Sequence, residues 1–260
     1  MLDLILPCTL SFCAGLIDSI IGGGGLILVP GLMIVRPDLP LATMLGTNKL
    51  TAVCGTSIAT WQYAQQVSIP WRTMLPAAIS GFLGAGWGAR LVANLSSATI
   101  KPIILALLIM VAIYTFRQKD FGDLHAPKLS QPQQIIVGIL MGAVLGFYDG
   151  FFGPGTGSFL IFAMIGLLGF GFLAASASAK VINLATNLSA FLYLALTNHV
   201  DYALGIPMAV FNIGGAICGT RLAILRGNSF IRKLFLVVVT ALIIKLSYDI
   251  LIIDLRLIHL

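Results

Sequence analysis

Gly15-Leu-Ile-Asp18-Ser-Ile-Ile-Gly22-Gly-Gly-Gly25 returns 131 positions later as Gly146-Phe-Tyr-Asp149-Gly150-Phe-Phe-Gly153-Pro154-Gly155-Thr156-Gly157. Each time, an apolar run carries one aspartate and then breaks on glycines. The same offset relates Lys49 to Lys180, Gly84-Ala85 to Gly215-Ala216, Gly88-Ala89-Arg90 to Gly219-Thr220-Arg221, and Ile100-Lys101 to Ile231-Arg232. Two unrelated apolar halves would match in hydrophobicity, but they would not keep rare lysines and aspartates in register. The chain therefore reads as a duplication.

What surrounds the repeat is almost wholly apolar. Of 260 residues 58% are hydrophobic and 9% charged, with a mean hydropathy of +1.02. An average soluble domain carries about a quarter charged residues. The 15 basic and 9 acidic residues cannot cover the surface of a soluble domain. Soluble enzyme, disordered tail, collagen and disulfide scaffold are excluded, which leaves an all-α polytopic membrane protein. The net charge of +6 is scattered over short loops and forms no nucleic-acid stripe. It fits the basic loop excess of a membrane protein. Cys8, Cys13, Cys54 and Cys218 lie in apolar stretches without metal spacing, and the three histidines are far apart. No metal, cofactor or clustered catalytic group is expected. The opening Met-Leu-Asp lacks a basic leader, so the first segment is expected to be a retained membrane helix.

The offset divides the chain into a first repeat over 1–116, a polar linker over 117–132 and a second repeat over 133–260. In the first repeat, apolar segments are expected at 2–20, 26–35, 41–66, 70–90 and 98–116. In the second they are expected at 133–152, 158–168, 172–198, 202–220 and 233–254. That makes eight to ten membrane segments. The pieces 26–35 and 158–168 are too short for a hydrocarbon core of ~30 Å and read as glycine-broken or re-entrant half-helices. Irregular backbone at membrane depth survives only inside protein or beside a wet cavity. Paired breaks in two halves are the best sequence pointer to a transporter site. Basic loop residues segregate better if each half crosses five times, which predicts inverted repeats with the linker in the cytoplasm. Trp61, Tyr63 and Trp71 flank one loop as an interfacial aromatic belt would, and Arg90 and Arg221 are expected to snorkel from membrane ends.

Ionisable residues inside apolar segments are costly and point to function. Here they are Asp18, Asp149, Lys49 and Lys180. Lys49 and Lys180 sit among small, hydroxyl and amide residues, including Asn48, Thr51, Asn183, Thr186 and Asn187. A lysine pair lined with neutral donors, beside half-helix N-termini at Gly22, Gly23, Gly24, Gly25, Gly153, Gly155 and Gly157, suits a bound anion. Alternatively, each lysine pairs only with the aspartate of its own half. Asp18 and Asp149 would balance the lysines or carry a coupling proton, or cap the glycine turns that follow them.

The glycine motifs, Pro30 and Thr47-Asn48-Lys49-Leu50, together with Gly146-Phe-Tyr-Asp149 through Ser158-Phe159, resemble the TauE/SafE family of sulfite/sulfonate exporters, closest to its YfcA-like branch. The resemblance covers nearly the whole chain. It implies a multi-pass permease of the bacterial inner membrane that moves small sulfur-containing anions or organic acids, with Thr47, Asn48, Lys49, the Lys180 region and both glycine runs as motif residues. Ser178-Ala179 stands where the first half has Thr47-Asn48, which breaks the symmetry. The expected function is a secondary transporter that binds its anion at Lys49 and Lys180 and works by rocking one half against the other. Its partners would be the small anion and the bilayer, with proton coupling as an option. A passive anion channel, or a membrane subunit of a larger complex, is the alternative.

Overall fold

An uninterrupted apolar run forms α1 (Leu2–Ile21), and the chain then turns on Gly22 and Gly23, whose φ angles are 64° and 153°. Only glycine adopts such backbone cheaply. In this computed structural model residues 2–94, 126 and 128–258 are described. The expected segment 98–116 and most of the linker 117–132 lie outside them. After the break, α2 (Gly24–Val35) runs for 12 residues, about 18 Å at 1.5 Å per residue. The Arg36 guanidinium closes the following turn on the Asp38 carboxylate at 2.9 Å. Those hydrogen bonds hold the exposed Asp38 carboxyl below its usual range. Prolines at 40 and 70 precede α3 (Leu41–Gln66) and α4 (Trp71–Ala93).

The second repeat opens with a capping box, Ser130 against Gln133, at the start of α5 (Gln131–Phe151). Its break uses Gly153 and Gly155, at φ 92° and 89°. Then come α6 (Thr156–Ala163), which passes into a π-helical turn over Met164–Leu168, and α7 (Phe172–Leu196). The last element, α8 (Tyr202–Ile258), is two helices joined at Gly227, at φ 65° and ψ −161°. The two segments expected at 202–220 and 233–254 fall on either side of that kink.

Among the described residues four stretches are long and apolar enough to cross a membrane: Leu4–Ile21, Gln131–Phe151, Phe172–Leu196 and Tyr202–Ile231. Among the described residues there is no strand. The protein is an all-α, multi-pass membrane protein. α3 and α4 are also long, at 26 and 23 residues. The buried Thr47, Asn48, Lys49, Thr51 and Thr56 dilute the apolar character of α3.

Contacts between small residues fix the helix directions. Gly15 lies on Asn212, Gly215 on Phe12 and Leu16, and Gly219 on Leu16 and Ser19, so α1 and α8 run parallel. Gly55 on Asn212 and Gly205 on Thr47 and Leu50 set α3 parallel to them. In the same way Gly142 on Ala77, Gly146 on Gly81 and Gly150 on Ala85 set α4 parallel to α5. Thr60 bonds Lys180 O while Lys49 bonds Asn187 Oδ1, so α3 and α7 are antiparallel. Hence α1, α3 and α8 point one way, and α4, α5 and α7 the other. Helices that match at the 131-residue offset run in opposite senses.

The two halves of the chain also exchange a helix. α8 packs on α1 and α3 of the first half, and α4 packs on α5 and α7 of the second. Among the described residues this gives two four-helix units, α1–α3 with α8, and α4–α7. They meet along α3 and α7 and where the glycine breaks touch. Two apolar clusters fill opposite ends. One gathers Ile20, Tyr63, Met74, Leu160 and Ile182, the other Leu28, Leu45, Val92, Phe152 and Leu194. The aromatic belt needs one correction. Trp61 and Trp71 are exposed, but Tyr63 is fully buried and its hydroxyl donates to Ser19 O at 2.9 Å.

Candidate functional site

Both glycine breaks lie against each other in opposite sense. A side chain on Gly22 would strike the Gly157 backbone, and one on Gly25 would meet Pro154. The broken end of α1 leaves carbonyls without helical partners. The Ser158 hydroxyl, from the other repeat, donates to Ile21 O at 3.0 Å and to Gly22 O. In the sequence Ser158 stands only as part of the family motif, with no role assigned to it. Its signal was a hydroxyl immediately after a glycine break.

Beside this crossing stand the four charges, and each lysine crosses to the other repeat. Lys49 Nζ meets Asp149 Oδ1 at 2.8 Å, and Lys180 Nζ meets Asp18 Oδ2 at 2.7 Å. Pairing within one half, the alternative raised from the sequence, does not occur. Removing two charges from water is expensive, and mutual attraction repays it only in good geometry. Both pairs join the two four-helix units.

The two lysines leave the α3–α7 seam at different levels. Thr60 donates to Lys180 O at 3.2 Å, and it stands eleven residues beyond Lys49 on α3, about 16 Å along the axis. The structure therefore sets each lysine against an aspartate rather than against the other lysine. The Lys49 ammonium also donates to Asn187 Oδ1 at 2.9 Å and packs against Gly153. Asp18 Oδ1 accepts from Gly23 N at 3.1 Å and Gly24 N at 3.2 Å. Its carboxylate thus fills the amide end of α2 as well as pairing with Lys180.

Among the remaining expected residues, Thr47 accepts from Asp201 N at 3.0 Å, and Thr51 donates to Asn48 O. Both serve helix packing. Asn48 and Asn183 are buried. Among the described residues neither amide side chain has a hydrogen bond that would occupy it. Asn183 lies one turn from Lys180 on the same face of α7. Asp149 Oδ2 and Ser178 Oγ are buried without partners among the described residues. Gly155 supplies a left-handed turn before α6. No group of three or more His, Cys, Asp or Glu converges as metal ligands would among the described residues.

The comparisons agree with this architecture. A family model described as "Sulfite exporter TauE/SafE" matches residues 8–246. The chain is 36% identical over 239 residues to a Sinorhizobium "Probable membrane transporter protein ORF9", covering 92% of this chain and 90% of that protein. It is 34% identical over 245 residues to a Haemophilus influenzae "Probable membrane transporter protein", covering 94% of both. It is also 33% identical over 236 residues to "Probable membrane transporter protein YfcA" of Escherichia coli K12, covering 91% of this chain and 86% of that one. No solved structure matches. These relatives are named as transporters and not as enzymes. Family model, relatives and apolar helices converge, and the chain belongs to the TauE/SafE sulfite exporter family of multi-pass membrane transporter proteins.

Proposed function

We propose that this protein is a secondary transporter of a small anion, a sulfur oxyanion, sulfonate or organic acid, in a bacterial inner membrane. Its two repeats, 1–116 and 133–260, are inverted with respect to each other. The anion enters at Lys180, takes the place of the Asp18 carboxylate there, and is held by the Asn183 amide one turn away. One observation carries this reading. The Asp18 side chain is 22% exposed while Lys180 is 1% exposed, and the other pair is sealed, at 3% for Lys49 and 2% for Asp149. A ligand arriving from water meets Asp18 first. Lys180 supplies a buried point charge, and an unpartnered amide stands beside it. Thr47, Asn48, Lys49, Thr51, Asn187 and the glycines would then shape and support the path. Asp18, once displaced, is the group placed to take a coupling proton.

Alternating access in this reading moves the two four-helix units, not the sequence halves. α4 and α8 are exchanged, so rocking 1–116 against 133–260 would tear both interlocked bundles. Movement along the α3–α7 seam leaves both bundles intact and breaks the two ion pairs, the glycine crossing and the hydrogen bonds of Lys49 to Asn187, Thr60 to Lys180 O and Ser176 to Ile20 O.

Counterflow in proteoliposomes tests the proposal, with labelled sulfite, thiosulfate, sulfoacetate and acetate as probes. The expected result is saturable exchange of at least one anion, abolished in Lys180→Met and reduced about tenfold or more in Asn183→Leu, a loss matching one hydrogen bond to a charged ligand. Single-channel currents would replace the transporter by a pore. Unchanged exchange in Lys180→Met would remove the lysine from the site.

A further inference from the structure

The end of α3 and the middle of α8 enclose a cleft of about 390 Å³ that the transport site does not use. Trp61, Gln62, Gln65 and Gln66 line it from α3, with Arg221 and Ile224 opposite. The spacing puts each set on one helix face.

Repeat symmetry argues that the polar lining is there for a ligand. A purely structural need at the contact of α3 and α8 would recur where α7 meets α4. At the equivalent positions stand Leu192, Tyr193, Leu196 and Thr197, so no glutamine recurs. The repeat mate of Arg221 is Arg90, which lies over the Trp87 ring at 5.7 Å. Cys218 replaces that tryptophan beside Arg221. Among the described residues no hydrogen bond or ion pair engages Arg221. The Gln62 amide oxygen is buried in the same wall without a partner.

The cleft has two poles. Arg221 offers a guanidinium fork suited to an oxyanion. On the α3 side the helix ends at Gln66 with no basic residue in its last turn. Its final carbonyls form the negative end of the helix dipole. The indole of Trp61, 60% exposed, presents a face that attracts cations.

We propose that this cleft binds a zwitterion, a phosphate or similar oxyanion at Arg221 joined to a primary ammonium at the end of α3. An ethanolamine phospholipid headgroup and a soluble amino-phosphate share that chemistry. Clefts with a basic residue between membrane helices are suited to headgroups. The site stands apart from the lysine–aspartate pairs and does not depend on the transport reading.

The test is thermal unfolding of the purified full chain in detergent, with phosphatidylethanolamine, phosphatidylcholine, phosphatidylglycerol or free phosphoethanolamine added. Phosphatidylethanolamine is expected to raise the midpoint at concentrations about tenfold below those the other two lipids need, because choline has no N–H and glycerol has no cation. Arg221→Gln and Gln62→Leu should abolish the rise, and Arg90→Gln should keep it. Arg221 is exposed, so its variant is expected to fold. If free phosphoethanolamine acts as strongly as the lipid, the chemistry stands and the source is soluble. Equal response to all three lipids, or an unchanged rise in Arg221→Gln, overturns the proposal.

Discussion

The Lys49–Asp149 and Lys180–Asp18 pairs match at the 131-residue offset, yet they sit in different surroundings. The first is sealed, with Asn187 on its ammonium and a carboxylate oxygen left buried and unpaired. The second is partly open at Asp18, whose other oxygen holds two backbone amides of the α2 start. The same two charges stand at both places, and the neighbours decide what each pair can do. A pair with no route to water acts as a latch between the four-helix units. A pair with one open partner can exchange that partner.

The largest expected effect separates the two directly. Asp149→Ala strands a buried ammonium, and losses of about 3–5 kcal/mol are typical of such deletions. Asp18→Ala strands Lys180 too, but water can fill the vacated space, so the expected loss is smaller by about 1–2 kcal/mol. The double variant Lys49→Met with Asp149→Leu should recover most of the first loss, as buried pairs replaced by apolar groups often do. Reversible unfolding in mixed micelles ranks the four proteins. A greater loss for Asp18→Ala would invert the assignment of sealed and open pairs.

The glycine breaks give the next contrast. Gly22 combines φ 64° with a backbone neighbour, Gly157 C, that a Cβ would approach to 2.3 Å. Gly155, at φ 89°, has nothing nearer than 3.7 Å. Gly22→Ala should therefore lose about 2–4 kcal/mol, from left-handed strain and overpacking together. Gly155→Ala should lose about 1–2 kcal/mol from strain alone. Equal losses would mean that the crossing of the two breaks adds nothing to stability.

Much of this was readable from the residues. The apolar runs located the described helices closely, except that the helix expected at 202–220 runs on to the kink at Gly227. Asp18, Asp149, Lys49 and Lys180 stood out because charge is rare in apolar segments. The partners were not readable. A lysine's mate depends on which helices cross, and the exchange of α4 and α8 leaves no local mark in sequence. The same holds for Tyr63, which shares a sequence neighbourhood with exposed Trp61 but faces the opposite side of α3, onto Ser19. Ser158 follows a glycine break in the sequence, but what it bonds is set by the broken end of α1, which no local pattern shows.

The smallest effect tests whether the asymmetry extends to neutral neighbours. Asn187 and Thr56 are repeat mates, and only Asn187 reaches a lysine. The Thr56 hydroxyl instead donates to carbonyls of its own helix, Ala52 O and Val53 O. A hydrogen bond to a buried charge is worth about 1.5–3 kcal/mol, whereas a hydroxyl bonded back to its own helix adds little. Asn187→Ala should therefore cost about 1.5–3 kcal/mol and Thr56→Ala under about 0.5 kcal/mol. The same unfolding measurement resolves both. If the two substitutions cost alike, the Lys49 pair owes its stability to burial alone. Its difference from the Lys180 pair would then reduce to access of water at Asp18.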